Sequence, residues 1–284
     1  MPTAPEVPTA PTTPRHRCAV WGSPVEHSLS PVLHLAAYRA LGLTDWAYER
    51  REVDEAGFAS AFAALGEEWR GLSLTMPLKE VGATVARSLS RTARETGSVN
   101  TLVREPDGWS GHNTDVHGIV AALREAGLER ATRAVVIGSG ATARSAVAAL
   151  GQGGTRSITF MVRAQPRPET VAQARRAGLD VDVVSMGEWP AADVVISTVP
   201  PASVPALDAL PPAGGRVPVL LDVVYGEGRT ALEEAAVRRG WITVDGTSML
   251  LHQAALQVRL MTGLEAPVEA MRAALAEARP GSGS

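Results

Sequence analysis

One lysine stands out among the residues that could carry chemistry. Lys79, in the segment GLSLTMPLKE, is the only lysine of the 284-residue chain, and every other positively charged side chain is an arginine. A guanidinium stays charged, whereas an ammonium is compact and can exchange a proton when it is buried. Proton exchange with an alcohol would explain the lysine. Its natural partner is Asp115, in the segment NTD, which could hold the ammonium in place or accept a proton.

Four short polar clusters accompany this pair. They are GSPVEHSLSP, LSLTMPLKE, GSVNTLV together with GHNTDVHG, and MLLHQAALQ, and all lie at predicted ends of strands or helices. Ser28 and Ser30 could donate hydrogen bonds to a carboxylate, and capping of the following helix is the alternative role for Ser30. His27 and His34 have no spacing with a carboxylate or cysteine that indicates a metal site, so no metal is expected.

A glycine-rich turn predicts a dinucleotide site. In RAVVIGSGATARSAVAAL, an apolar strand leads through Gly138 and Gly140 into an alanine-rich helix. The first glycine permits the tight turn and the second lets the backbone approach a pyrophosphate, while Ala143 allows close packing of the helix. An ordinary strand-to-helix turn is the alternative, but the match to G-x-G-x-x-A in this context favours dinucleotide binding.

The end of the next strand favours NADP over NAD. An acidic residue there would bind the ribose 2′-hydroxyl, whereas arginine accommodates a 2′-phosphate. The segment TFMVRAQPRPE has Arg163 and Arg167, and no carboxylate precedes them. Solvated arginines in an arginine-rich protein are the alternative.

Composition excludes several classes of function. The net charge is -3 and the pI about 6.1, so nothing indicates nucleic acid or an anionic membrane surface as a partner. The single cysteine, Cys18, permits no internal disulfide and no cysteine-based metal cluster, and we expect it to be buried in the first strand. No signal peptide and no run of about 18 apolar residues is found. These features predict a cytoplasmic protein without membrane insertion.

The order of predicted elements indicates an α/β fold. Prolines at every third position predict a disordered tail over residues 1–16. The chain end at 279–284 is predicted to be disordered as well. Strands and helices then alternate, with a helix capped by Asp54 and a hairpin at EPDGW. From about residue 116 the alternation becomes regular, with short Val/Ile-rich strands, which predicts a parallel sheet covered on both faces.

Taken together, these clusters resemble the shikimate dehydrogenase family, from about residue 17 to 275. Six family motifs occur in the right order: GSPVEHSLSP from Gly22, SLTMPLK from Ser73, GSVNT from Gly97, NTDVHG from Asn113, DVVY from Asp222 and MLLHQA from Met249. The resemblance implies reversible NADP-dependent oxidation of shikimate to 3-dehydroshikimate in aromatic amino-acid biosynthesis. It also implies that the protein is a monomer or a homodimer. The expected binding partner is the small-molecule substrate, shikimate or 3-dehydroshikimate.

The resemblance further implies two α/β domains with the active site in the cleft between them. The N-terminal substrate-binding domain would span 17–115 and the Rossmann-like NADP-binding domain 116–246, with helices in 247–278 returning to the first domain. Each site residue is carried over by its matching position. The catalytic residues would be Lys79 and Asp115. The substrate-binding residues would be Ser28, Ser30, Thr75, Asn100, Tyr225 and Gln253. The cofactor-binding residues would be Gly138, Ser139, Gly140, Ala141, Thr142, Arg163, Arg167, Gly246 and Met249.

Some positions depart from the family pattern. The stretch around Arg163 and Arg167 lacks the usual Asn and Thr, residues 197–200 are STVP rather than N-A-T-S, and Ser73 replaces an Asn. Two alternative functions stay open. One is a quinate or quinate/shikimate dehydrogenase, and the other is a non-catalytic NADP(H)-responsive binding protein.

Overall fold

Two six-stranded sheets organise the computed structural model, which describes residues 14–204, 206–226 and 228–278. The predicted N-terminal tail lies outside the described residues up to residue 13, and the predicted tail at 279–284 lies outside them entirely. The first strand, β1 (His16–Gly22), begins one residue before the start predicted for the first domain. Cys18 is buried in this strand as predicted, and burial raises the pKa of its thiol to about 12.

The first sheet is mixed. Its other strands are β2 (Trp46–Glu52), β3 (Trp69–Leu74), β4 (Ser88–Leu89), β5 (Thr101–Glu105) and β6 (Gly108–His112). In the order β2-β1-β3-β5-β6-β4, β1 lies between two parallel neighbours, whereas β5 runs antiparallel to both β3 and β6. The β5–β6 pair confirms the hairpin predicted at EPDGW.

The second sheet is entirely parallel, as predicted. Its strands are β7 (Arg133–Ile137), β8 (Ser157–Val162), β9 (Asp180–Ser185), β10 (Val194–Ser197), β11 (Val219–Asp222) and β12 (Ile242–Val244). They are arranged in the order β12-β11-β10-β7-β8-β9. The chain direction across the sheet reverses between β7 and β10, and the carboxyl ends of strands at such a switch point form a ligand-binding crevice.

Helices cover both sheets. They are α1 (Ser30–Ala40), α2 (Glu55–Ala63), α3 (Gly82–Val85), α4 (Arg91–Thr96), α5 (Asp115–Glu125), α6 (Ala141–Gln152), α7 (Pro168–Arg176), α8 (Ala231–Arg238), α9 (Gly246–Thr262) and α10 (Val268–Glu277), with a short 3-10 helix at Pro201–Ser203. Asp54 caps α2 by accepting the Gly57 amide at 2.7 Å, as predicted. The sequence does not predict α4, because its 6 residues are too few to develop a helical period.

The parallel sheet is apolar on both faces. Val136 and Ile196 belong to one buried cluster, whereas their neighbours Val135 and Val195 belong to another, together with Leu232 of α8. Since successive side chains of a strand point to opposite faces, burial of both faces requires an unbroken apolar run. This explains the Val/Ile-rich segments of the sequence.

The last two helices return to the first domain, as expected. Leu33 of α1 shares a buried cluster with Leu251 and Ala254 of α9 and with Met271 of α10. Helix α9 also packs against α5, where a Cβ on Gly118 would lie 2.7 Å from the Met249 carbonyl oxygen. The glycine therefore lets two helices that carry predicted site residues approach closely.

Candidate active site

Lys79 and Asp115 meet, although 36 positions separate them. Lys79 lies in the turn after β3, where its carbonyl accepts the Val99 amide at 2.7 Å, and Asp115 is the first residue of α5. The Lys79 Nζ donates to Asp115 Oδ2 at 2.6 Å. The side chains are 16% and 5% exposed, respectively, so the ion pair is largely withdrawn from water while the ammonium keeps some access to it.

Asn100 holds the other oxygen of this carboxylate. Its Nδ2 donates to Asp115 Oδ1 at 2.7 Å, and its Oδ1 accepts the backbone amide of Thr114 at 2.8 Å. The backbone donor fixes which end of the Asn100 amide faces Asp115. Both Asp115 oxygens therefore accept hydrogen bonds from nitrogen donors, which fixes the orientation of the carboxylate.

Gln253 approaches the same group from α9. Its Oε1 accepts from Asn100 Nδ2 at 3.4 Å and from Thr114 Oγ1 at 3.3 Å, while its Nε2 donates to the Leu250 carbonyl at 3.0 Å. Three segments of the chain thus converge on one buried polar cluster.

Ser30 does not cap α1, which corrects one alternative considered from the sequence. It is the first residue of the helix, and Leu29 at the N-cap position makes no side-chain capping bond. The Ser30 amide donates to Ser28 Oγ at 3.3 Å, which brings the two serines together. Burial raises the pKa of the nearby Tyr225 phenol, partly offset by its hydrogen bond to Ser28. Tyr225 therefore stays protonated at neutral pH and can donate a hydrogen bond.

The glycine turn after β7 has the features that a dinucleotide requires. Gly138 has φ +100°, and a Cβ there would lie 2.7 Å from Thr198 Oγ1 in the loop after β10. A Cβ on Gly140 would have no protein atom within 4 Å, so the turn presents open backbone, while Ala143 is fully buried against the sheet. The residues fit a pyrophosphate at the start of α6. The same residues also suit an ordinary strand-to-helix turn, the alternative named from the sequence.

The two predicted phosphate arginines differ in their surroundings. Arg163 is exposed at the end of β8. Arg167 donates its backbone amide to Ser139 Oγ at 3.1 Å, and its Nη1 to Glu80 Oε1 at 3.2 Å. Arg167 therefore lies close to the glycine turn and already has a carboxylate partner from the first domain.

One cavity of about 390 Å³ is lined by residues of both domains. The predicted site residues that line it are Ser28, Ser30, Thr75, Lys79, Asn100, Asp115, Thr142, Tyr225, Gly246, Met249 and Gln253. Those that do not line it are Gly138, Ser139, Gly140, Ala141, Arg163 and Arg167, which lie in the glycine turn or beyond the next strand. A Cβ on Gly246 would lie 2.5 Å from the Val223 carbonyl oxygen, so this glycine also has a packing role.

Shikimate dehydrogenases are similar to this chain in sequence. A family model described as the shikimate dehydrogenase substrate binding domain matches residues 20–102, and one described as the shikimate 5'-dehydrogenase C-terminal domain matches 246–276. The shikimate dehydrogenase (NADP(+)) of Synechocystis sp. is 34% identical over 278 residues, which cover 90% of this chain and 93% of that protein. The chain belongs to the shikimate dehydrogenase family. The family predicted from the sequence motifs is thereby confirmed.

Solved structures of shikimate dehydrogenases share the fold. The Mycobacterium tuberculosis enzyme superposes with a TM-score of 0.81 and 40% identity, covering 92% of this chain and 99% of that chain. The shikimate 5-dehydrogenase of Thermus thermophilus in complex with NADP(H) and shikimate superposes with a TM-score of 0.81 and 29% identity, at the same coverage. The predicted α/β fold class is confirmed.

Sequence motifs of shikimate dehydrogenases did not reveal Gln257. This buried side chain of α9 lines the cavity, accepts from Ser73 Oγ at 2.8 Å, and donates to Thr101 Oγ1 at 2.9 Å. Tyr48 in turn donates to Ser73 Oγ at 2.6 Å. Ser73, where the family has Asn, is therefore held by two buried partners. The available signal was the spacing of four residues from Gln253, which places both glutamines on one face of the helix.

His34 is part of the same buried network. Its Nε2 donates to Gln257 Oε1 at 3.2 Å, and its ring stacks on Tyr48 with centroids 3.9 Å apart. Burial lowers the pKa of His34 to about 3, so the imidazole is neutral at physiological pH. Within the described residues, no group of three His, Cys, Asp or Glu side chains is placed to hold a metal ion, and no helix is long and apolar enough to cross a bilayer.

Proposed function

We propose that this protein catalyses the reversible NADP-dependent oxidation of shikimate to 3-dehydroshikimate in aromatic amino-acid biosynthesis. The observation that carries the proposal is the buried Lys79–Asp115 pair, which lines the same cavity as Thr142 of the glycine turn. A proton-exchanging group and a dinucleotide turn at one cleft are the two requirements of an alcohol dehydrogenase. The related proteins of Synechocystis sp. and Moorella thermoacetica are both named shikimate dehydrogenase (NADP(+)).

The substrate residues have complementary roles in this proposal. Ser28 and Ser30 hold the ring carboxylate with their hydroxyl groups. The remaining residues contact the ring hydroxyls and present both donors and acceptors, which suits a polyol; they are Thr75, Asn100, Tyr225 and Gln253.

Lys79 moves the proton. When the ketone is reduced, the Lys79 Nζ donates a proton to the carbonyl oxygen, and when the alcohol is oxidised the amine takes it back. Asp115 holds Nζ in position through its Oδ2 at 2.6 Å, and Asn100 holds Asp115. NADP, when bound, supplies the hydride acceptor or donor.

The second domain holds the cofactor. The backbone of the glycine turn would hold the pyrophosphate, two arginines would hold the 2′-phosphate, and two residues of α9 would also bind the cofactor. These residues are Gly138, Ser139, Gly140, Ala141, Thr142, Arg163, Arg167, Gly246 and Met249. A cytoplasmic location and a monomeric or homodimeric state stay predictions of the sequence.

The test is the initial rate of NADPH or NADH formation, followed by absorbance, with shikimate and quinate each supplied with NADP and NAD. Of the four combinations, we expect a strong rate only for shikimate with NADP. Turnover of quinate with NAD would assign the protein to quinate oxidation. Tight NADPH binding without turnover of either acid would identify a non-catalytic binding protein.

A further inference from the structure

Glu80 links the two domains through two arginines. Its Oε1 accepts a hydrogen bond from Arg144 Nη2 at 2.7 Å and another from Arg167 Nη1 at 3.2 Å. Glu80 follows Lys79 in the first domain, whereas Arg144 lies on α6 and Arg167 directly precedes α7. One carboxylate oxygen of the substrate domain therefore binds two guanidinium groups of the nucleotide domain.

Arg144 fixes the position of this carboxylate. The Arg144 side chain is only 5% exposed, and its Nε donates to the Thr96 carbonyl at 2.6 Å. Its Nη2 also lies 3.5 Å from the Gly97 carbonyl oxygen, at the C-terminal end of α4, where carbonyl groups lack helical partners and favour a cation. Glu80 is thus held by a buried, anchored arginine although its own side chain is 50% exposed.

Arg167 is held more loosely. Its side chain is 53% exposed, and its ion pair with Glu80 is the longer of the two that Glu80 makes. Its backbone is tied to Ser139 in the glycine turn. Arg163, the other predicted phosphate ligand, is exposed and has no ion pair within the described part of the chain. The two arginines therefore start from different electrostatic surroundings.

We propose that Glu80 is a specificity-determining residue that weakens the binding of a 2′-phosphate at Arg167. This inference rests on the proposed function, which takes Arg167 as a ligand of that phosphate. A phosphate dianion competes with Glu80 for the guanidinium and is repelled by the carboxylate that Arg144 keeps nearby. The exchange of an exposed ion pair corresponds to about a two- to fivefold change in affinity. An adenosine nucleotide without the 2′-phosphate escapes this effect.

The experiment is isothermal titration calorimetry of the full-length protein at low ionic strength with 2′,5′-ADP and with 5′-ADP. Glu80→Gln removes the charge and keeps an oxygen for Arg144. We expect it to bind 2′,5′-ADP about two- to fivefold more tightly than wild type, with unchanged binding of 5′-ADP. Glu169→Gln is the matched control, because Glu169 lies 3.8 Å from Arg144 and makes no ion pair with Arg167. Its gain should be clearly smaller.

A double-mutant cycle completes the test. Arg167→Ala should weaken 2′,5′-ADP binding, and Glu80→Gln in that background should give no further gain. The proposal is overturned by unchanged or weaker 2′,5′-ADP binding in Glu80→Gln, by an equal gain in Glu169→Gln, or by a gain that persists without Arg167. If wild type binds 2′,5′-ADP no better than 5′-ADP, the NADP assignment itself fails. If wild type prefers 2′,5′-ADP to 5′-ADP and Glu80→Gln leaves that preference unaltered, only the role of Glu80 is refuted and the NADP assignment stands.

Discussion

Replacement of Lys79 by methionine should affect stability and catalysis separately. The Lys79→Met variant keeps an unbranched side chain of similar length but removes the ammonium 2.6 Å from Asp115, whose side chain is 5% exposed. Removal of one partner from a buried ion pair costs about 3 to 5 kcal/mol, since the remaining charge stays desolvated. Lys79 is 16% exposed, so water can reach the site and we expect the lower end, about 3 kcal/mol. For a chain of this size that is a loss of about 6 to 12 °C in Tm.

A second substitution should restore the stability and leave the enzyme inactive. Asp115→Asn, added to Lys79→Met, removes the buried charge and keeps an oxygen for the Asn100 amide. Most of the lost Tm should return. The kcat for shikimate should stay about a thousandfold below wild type, the magnitude of a missing general acid or base.

The assays are thermal denaturation and the initial rate of NADPH formation. Arg87→Met is the control, because Arg87 pairs with Asp107 at 3.1 Å with both side chains 67% exposed, and its loss should cost below about 1 kcal/mol. A Lys79→Met protein with the Tm of wild type would refute the argument. So would a double variant no more stable than the single one, because the destabilisation would then have another source than the buried carboxylate.

Three further results are expected. Because the pKa of His34 falls from 6.5 to about 3 on folding, its stabilising contribution is present above pH 6.5 and is lost as the pH falls towards 3. His34→Phe should therefore flatten the decline of Tm between pH 6.5 and 4. Parallel Tm-against-pH curves for the variant and wild type would contradict this. Gly138→Ala should raise the Kd for NADPH at least tenfold in a fluorescence titration, because its Cβ would lie 2.7 Å from Thr198 Oγ1. Gly154→Ala is the control: this glycine has φ +77° and open space around it, so the variant should lose about 1 kcal/mol of stability and keep the Kd of wild type. Gln257→Met should lower the free energy of unfolding by about 2 kcal/mol, because the buried Ser73 hydroxyl and His34 Nε2 both lose their acceptor, and urea denaturation equal to wild type would refute that role.

Local patterns in the sequence were sufficient for much of the fold. The Val/Ile-rich strands, the cap at Asp54 and the glycine turn through Gly138 and Gly140 each depend on neighbours within a few residues, and the structure has them where they were predicted. Helix α4 was not predicted, because a helix of 6 residues has no amphipathic period to detect.

The tertiary structure decided which side chains meet. Lys79 and Asp115 are 36 positions apart, Glu80 and Arg167 are 87 apart, and Ser73 and Gln257 are 184 apart. The types of Lys79 and Asp115 were conspicuous in the sequence, so their pairing was expected. The other two contacts depend on the packing of α9 against β3 and β5 of the first sheet and of α6 against α4. A sequence by itself determines the local period and the chemical types of its residues, whereas contacts at such separations require the folded arrangement of whole elements.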